Sequence, residues 1–343
     1  MPTRKATRSS SYSREQFETV FHMYTEHYGF SAKPFALTPD LRFFFPSAGH
    51  QRAMSYLRYG LEQGEGFVVI TGHVGTGKTL LIQTLLSELS NQDIAFARIA
   101  TANLSADRVP AVVASALGLS FEGKSKEALL RSLERALVKA RKQLEHVLLI
   151  VDEAQTLQRD VLEEFRILSN LEVGGKALLQ VFLIGQTELQ LGLRKRNMRQ
   201  LRQRIVASYH LQPLSASDTR EYIEYRLNAC EWDGLPAITE DAYERVHEVT
   251  EGVPRKINIL MDRILLFGSL EDIDSFDSSH VSMVMEELQS ELAGDLAEID
   301  DEPEEVDSGS ASREDERQSS RLESRLRALE QKLDKLNAHG AEK

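Results

Sequence analysis

From residue 66 to about 214 the chain alternates short apolar runs with amphipathic stretches. The runs GFVVITG, IAFARIA, HVLLIVDEA, LLQVFLIGQ and SYHLQPL are nearly continuous in apolar character. Between them, KTLLIQTLLSELS, ADRVPAVVASALG, KEALLRSLERALVKARKQL and DVLEEFRILSNLE repeat apolar residues at helical spacing. Strands that are apolar on both faces, separated by helices, predict an α/β fold: a five-stranded parallel sheet with helices on both sides.

The flanks read differently. Residues 1–22 are basic and Ser-rich without an apolar segment, which predicts a disordered extension and no secretory signal. Residues 23–65 form an N-terminal segment: KPFALTPDLRFFFPS, with three prolines, predicts extended chain and turns, and GHQRAMSYLRYGLEQG predicts a helix stopped by Gly64. From 215 to 292 the strand signal vanishes, and SASDTREYIEYRLNA, TEDAYERVHEVTE, PRKINILMDRILLFGSL and DSSHVSMVMEELQSELA predict a helical second domain. Residues 293–320 read as an acidic disordered linker. Beyond it, over 321–343, Leu322, Leu326, Leu329, Leu333 and Leu336 recur at spacings of 4, 3, 4 and 3. That seam fits a short coiled-coil-like helix for self-association or a partner, or else a solvated amphipathic tail.

Composition narrows the class. A net charge of −12 disfavours a protein that coats nucleic acid or anionic lipid, although a local basic face is compatible with it. Cys230 is the sole cysteine, so no intramolecular disulfide forms and a reducing compartment fits. No apolar run reaches 18 residues, so no spanning helix is expected, and the sequence predicts a cytoplasmic protein.

The chemistry concentrates where strands end. GHVGTGKT follows the first apolar run and fits G-x-x-x-x-G-K-[ST]. Gly72, Gly75, Thr76, Gly77, Lys78, Thr79 and Leu80 make a candidate nucleotide cradle. Glycines let the backbone turn tightly and aim N–H groups inward. A helix N-terminus adds partial positive charge. Lys78 suits the β- and γ-phosphates, and the Thr79 hydroxyl suits magnesium. HVLLIVDEAQ then ends a buried strand on Asp152, a candidate magnesium carboxylate, and Glu153, a candidate base for the attacking water.

Three further positions follow. Gln186 ends the fourth apolar run on the same sheet edge, where it is either a γ-phosphate contact or a polar turn residue. Arg199, Arg202 and Arg204 precede the last strand, either as a solvated basic face or, for Arg204 first, as a finger reaching a neighbouring copy's nucleotide. Arg255 lies in the first turn of a helix, where a cation needs an anionic partner: a phosphate or a nearby carboxylate.

Five ordered stretches, MYTEHYGFSAKPFALTPDLRFFFPSAGHQRAMSYLRYGLEQGEGFVVITGHVGTGKT, LLIVDEAQ, LSNLEVGGKALLQVFLIGQTEL, LRQRIVASYHL and GVPRKIN, resemble AAA+ ATPases of the general secretion pathway protein A type. The likeness spans about residues 23–292 and is nearest the subgroup of exosortase/PEP-CTERM loci. It implies a P-loop core with a helical lid, ATP and Mg2+, and nucleotide sites shared in a homo-oligomer. It implies Lys78 and Thr79 in Walker A and Asp152 and Glu153 in Walker B. It suggests Gln186 as sensor 1, Arg204 as arginine finger and Arg255 as sensor 2, with the Pro34–Phe35 region near the adenine and Met23 as the natural start. Longer proteins of this type carry a membrane span and a periplasmic module. The present sequence instead shows a linker and a leucine seam, so any membrane attachment is expected through a secretion or polysaccharide-export partner. The competing readings are an ATP-dependent DNA-binding regulator of the transposition type, with Arg194, Lys195, Arg196, Arg199 and Arg202 as its basic strip, and a scaffold that uses ATP only to assemble.

Overall fold

The computed structural model describes residues 23–89, 93–100, 104–119 and 125–300. The chain up to Leu288 is one compact unit, and a second begins at Gln289. The expected disordered extension, most of the acidic linker and the leucine seam lie outside the described residues.

A five-stranded parallel sheet organises the first unit. Its strands are β1 (Phe67–Gly72), β2 (Ile94–Ala100), β3 (His146–Asp152), β6 (Gln180–Gly185) and β7 (Ile205–Leu211). A small antiparallel hairpin, β4 (Glu172–Val173) with β5 (Lys176–Ala177), sits between β3 and β6 in sequence. The order across the sheet is β2-β3-β6-β1-β7, with all neighbours parallel. Continuous apolar strands are explained by burial on both faces. Val69, Leu149, Val151, Val181 and Leu183 pack on one side with Val113, Leu133, Phe165 and Leu189. Val68, Ile70, Leu148, Ile150, Phe182 and Ile184 pack on the other with Leu57, Leu81 and Leu85. Successive side chains point to opposite faces, so each strand feeds two cores.

The last strand departs from expectation. It runs over Ile205–Leu211, three residues earlier than SYHLQPL, and its pairing with β1 shifts register between Phe67 and Val68. β-Branched Ile205 and Val206 extend it backwards, and Pro213, which has no N–H, does not continue it.

A third core holds the helical part. Ala216–Asn228 starts with a capping box in which Ser215 and Asp218 bond each other's backbone N–H. Glu240–Thr250, Pro254–Leu270 and Ser278–Asp300 follow. Their core also contains Tyr24, Tyr28, Phe30, Phe35 and Phe43. The N-terminal segment therefore does not stand alone before the sheet; residues 23–45 complete the lid. Tyr28 Oη donates to Ile273 O at 2.8 Å, and Tyr24 Oη bonds Asp262. The central tie is Arg226, 5% exposed. It donates to Pro34 O, to Ala36 O at 3.1 Å and to Tyr222 Oη at 2.7 Å, and its guanidinium lies 4.6 Å from the Phe43 ring centre. Tyr222 passes the chain on by donating to Asn258 Oδ1 at 2.7 Å. Burial of five aromatic side chains stabilises this join, and the guanidinium satisfies two carbonyls that would otherwise be buried without donors.

Arg226→Ala is expected to cost about 3 kcal/mol, because it strands those carbonyls and opens a cavity. Thermal unfolding measures the loss, and limited proteolysis should show first cleavage within residues 31–45. Unchanged stability with an intact N-terminal segment would contradict the join.

Candidate phosphate-binding and hydrolytic site

β1 ends at Gly72, and the next helix, Lys78–Leu89, starts six residues later. The turn between them depends on Gly75 at φ +82° and Gly77 at φ +92°, conformations that side-chain-bearing residues rarely adopt. Both are also crowded from outside. A Cβ on Gly75 would stand 2.5 Å from Arg255 Cβ, and one on Gly77 would stand 2.9 Å from His50 Nε2. The loop is thus braced from two directions. Arg255 N donates to Gly75 O at 3.2 Å, linking the lid helix directly to the loop. On the other side buried His50 lies 3.1 Å from Thr76 O through Nε2 and 2.7 Å from Ser47 Oγ through Nδ1. A carbonyl only accepts, so Nε2 carries the proton and Nδ1 accepts from the serine. Thr76 itself is buried, with its hydroxyl donating to His73 O at 2.9 Å.

Lys78 Nζ donates to Gly72 O at 2.8 Å and His73 O at 2.7 Å, so the ammonium sits across the loop's opening. Burial pushes its pKa down, against the opposing pull of Glu153, Asp152 and Glu188. Asp152 ends β3; its Oδ1 accepts the Glu153 N–H at 3.0 Å and its Oδ2 pairs with Arg98. Glu153 turns left-handed at φ +53°, which swings its side chain off the strand axis. Gln186, past the end of β6, donates from Nε2 to Glu153 Oε2 at 3.3 Å.

Lys78, Glu153 and Gln186 open onto one cleft of about 300 Å³, which Asp152 does not line. Gly75, Gly77, Lys78, Thr79 and Leu80 form its floor, Glu153 and Gln186 one wall, and Pro254, Arg255 and Asn258 the lid side. The remaining wall is the N-terminal segment, from Ala36 to Asp40 and Phe43 to Phe45. In the Pro34–Phe35 region, Phe35 is 1% exposed inside the lid core, and the residues after it line the cleft.

The cradle suits a polyphosphate. Its lysine is half-buried and bonded to loop carbonyls rather than to a close carboxylate. Thr79, in the first helical turn, and Asp152, at the end of β3, are of the oxygen-donor type that magnesium prefers.

Arg204 lies elsewhere. Its carbonyl accepts from Phe67 N at 2.9 Å, which puts it at the start of β1, the sheet edge opposite the loop. One strand of this length separates the two edges by roughly 20 Å. Arg204 is exposed and, among the described residues, its side chain has no hydrogen-bond or ion-pair partner. Arg202 is committed instead: its Nη1 donates to Leu193 O and Lys195 O, closing the end of the Thr187–Arg194 helix. Arg199, Arg194, Lys195 and Arg196 are exposed.

Sequence reading missed three residues at this site. His50 sits in a helix whose apolar spacing gave no reason to single out a histidine. Arg98 is a cation inside an apolar strand, which was a usable signal. Gln155 lies within DEAQ but had no evident partner until β6 was placed beside β3.

Burial pushes the His50 imidazole below its ordinary value of 6.5. The unfolded chain therefore takes up this proton first as pH falls. The stability His50 contributes is complete above the ordinary imidazole range and declines as pH drops through it. Unfolding midpoints measured between about pH 7.5 and pH 5 should fall more steeply for the wild type than for His50→Gln. Superimposable pH curves would contradict the neutral brace.

A family model described as AAA domain matches residues 61–193. General secretion pathway protein A of Aeromonas hydrophila is 40% identical over 248 residues, which cover 71% of this chain and 44% of that protein. The chain thus spans less than half the length of this curated relative. Among solved structures, Cdc6p from Pyrobaculum aerophilum aligns with a TM-score of 0.56 at 17% identity, over 71% of this chain and 67% of that one. The Aeropyrum pernix ORC2 protein, in ADPNP-ADP complexes, aligns with a TM-score of 0.54 at 17% identity, over 74% and 71%. At such identities these structures speak to fold alone. Sheet order, loop and family match agree: the chain has the P-loop AAA fold, with an AAA domain over residues 61–193, and is related in sequence to general secretion pathway protein A.

Proposed function

We propose that this protein binds ATP with Mg2+ in the cleft and hydrolyses it, acting as a nucleotide-driven oligomeric switch or motor. The observation that carries the reading is the convergence on one cleft of the glycine cradle, Lys78, Glu153, Gln186 and Arg255. Backbone N–H groups of the loop and the Lys78 ammonium bind the phosphates. Thr79 and Asp152 would hold the magnesium, which when bound neutralises charge on the β- and γ-phosphate oxygens. Glu153 accepts a proton from the water that attacks the γ-phosphorus, and the bond to the β-phosphate oxygen breaks to leave ADP. Gln186, bonded to Glu153, acts as sensor 1. Arg255 joins the lid to the phosphate loop and acts as sensor 2. Arg204 serves the cleft of a neighbouring copy, because its own cleft lies across the sheet.

The biological setting we assign is a secretion or exopolysaccharide-export locus of the exosortase/PEP-CTERM type. Support comes from the five ordered motifs and the identity to general secretion pathway protein A. Among the described residues no helix is long and apolar enough to cross a membrane, so the reading assigns membrane association to an export partner. A second reading, ATP-dependent DNA binding, draws on the exposed cations Arg194, Lys195, Arg196 and Arg199. Under that reading, DNA affinity would require ATP and fall steeply with salt.

Lys78→Ala should lose ATP binding, and Glu153→Gln should bind ATP with turnover reduced at least ~100-fold. Arg204→Ala should bind ATP yet turn it over slowly as a pure protein. Mixed with Lys78→Ala, it should regain part of the lost activity, since mixed assemblies restore intact sites. Activity that is wild-type in Glu153→Gln, or no recovery on mixing, would refute the base or the shared site respectively.

A further inference from the structure

Gln155 is unused by the reading above, yet it bonds both the candidate base Glu153 and the backbone of Gln186. A 3-10 turn over Ala154–Thr156 follows the left-handed Glu153, with Thr156 N and Oγ1 both donating back to Glu153 O at 3.0 and 2.9 Å. This tight turn folds the Gln155 side chain back toward the sheet edge. Its Nε2 donates to Glu153 Oε2, the oxygen that also receives Gln186 Nε2. Its Oε1 accepts the Gln186 backbone N–H at 2.9 Å. One carboxamide therefore joins the end of β3 to the end of β6 through a donor and an acceptor used together. Neither a carboxylate nor an apolar side chain offers both.

The neighbouring strand is cut to fit. A Cβ on Gly185 would stand 3.0 Å from Gln155 Oε1 and 3.2 Å from Gln155 N. Its other close neighbour, Leu189 Cδ2 at 2.9 Å, is the end of a flexible side chain. Glycine at the end of β6 thus leaves room for the carboxamide, although Gly185 is not at a left-handed φ.

We infer that Gln155 is a positioning residue for hydrolysis: it restrains the Glu153 carboxylate and locks it to the end of the strand that carries Gln186. This rests on the ATPase reading. Restraining a base does not change how tightly the phosphates bind, so the effect belongs in kcat rather than KM.

The test uses the full chain with Mg·ATP. Gln155→Met keeps length and bulk but loses both hydrogen bonds. Gly185→Ala leaves the glutamine chemically intact and displaces it. Each should lower kcat roughly 10- to 100-fold, the range expected when a reacting group is misplaced by about 1 Å, with KM changed less than about 3-fold. Because both act through one contact, the double variant should be about as slow as Gln155→Met alone. Thermal unfolding of each variant shows that it is folded under assay. Wild-type kcat in Gln155→Met, a raised KM with kcat unchanged, or fully additive losses in the double variant would overturn the inference while leaving the ATPase reading intact. A wild-type chain without turnover, or Glu153→Gln as fast as wild type, would overturn the parent reading and this inference with it.

Discussion

A phosphate-binding turn is only useful while its interior stays open, and an open backbone turn does not hold its own shape. In this protein Gly75 and Gly77 supply the conformations, but packing from outside supplies the rigidity. His50 reaches Thr76 O from the sheet side, and the backbone of Arg255 reaches Gly75 O from the lid side. The loop is therefore the place where the two halves of the first unit meet. The start of the Pro254–Leu270 helix touches the loop through the Arg255 N–Gly75 O hydrogen bond and through Val253 and Arg255 packed beside Gly75. The lid, in turn, does not end at that helix. Arg226 ties it to Pro34 and Ala36, so one wall of the cleft is carried by the lid although it precedes the sheet in sequence.

The polar groups at the sheet edge form a second connected set. Asp152 is held by Arg98 and by the Glu153 N–H; Glu153 is held by Gln155 and Gln186. Such an arrangement puts the candidate base and the candidate sensor in direct contact before any nucleotide geometry is considered, at an edge where the Glu153 side chain is open to solvent. Arg204 belongs to neither set. Its place, at the far end of β1 and β7, keeps it away from its own cleft.

How much of this was legible in the sequence follows from the range of the interactions. Strand runs such as FVVITG and VLLIVD are apolar because both faces are buried, a local pattern that fixes their identity as sheet strands. The phosphate loop is legible because its requirements, left-handed backbone and one cation at a helix start, fall within eight residues. The start of β7 was misplaced because the Pro213 side of the run looks as apolar as the Ile205 side, and pairing with β1 decides between them. Residues 23–45 were read as a separate piece because their partners are some 190 residues away; nothing near Phe35 indicates a lid helix. His50 and Gln155 were silent for the same reason, since each acquires its role from an element brought beside it by the fold, whereas Arg98 stood out as a cation in an apolar strand.

The central claim is that the turn at 72–79, braced by both halves, is where a magnesium nucleotide binds. Hydrogen exchange of the wild-type chain with and without Mg·ATP tests it most directly. The account predicts slowed exchange at residues 72–80, accompanied by slowing at 36–45 and 253–258, the walls tied to the loop through the lid. Unchanged exchange at 72–80 under saturating Mg·ATP would contradict it.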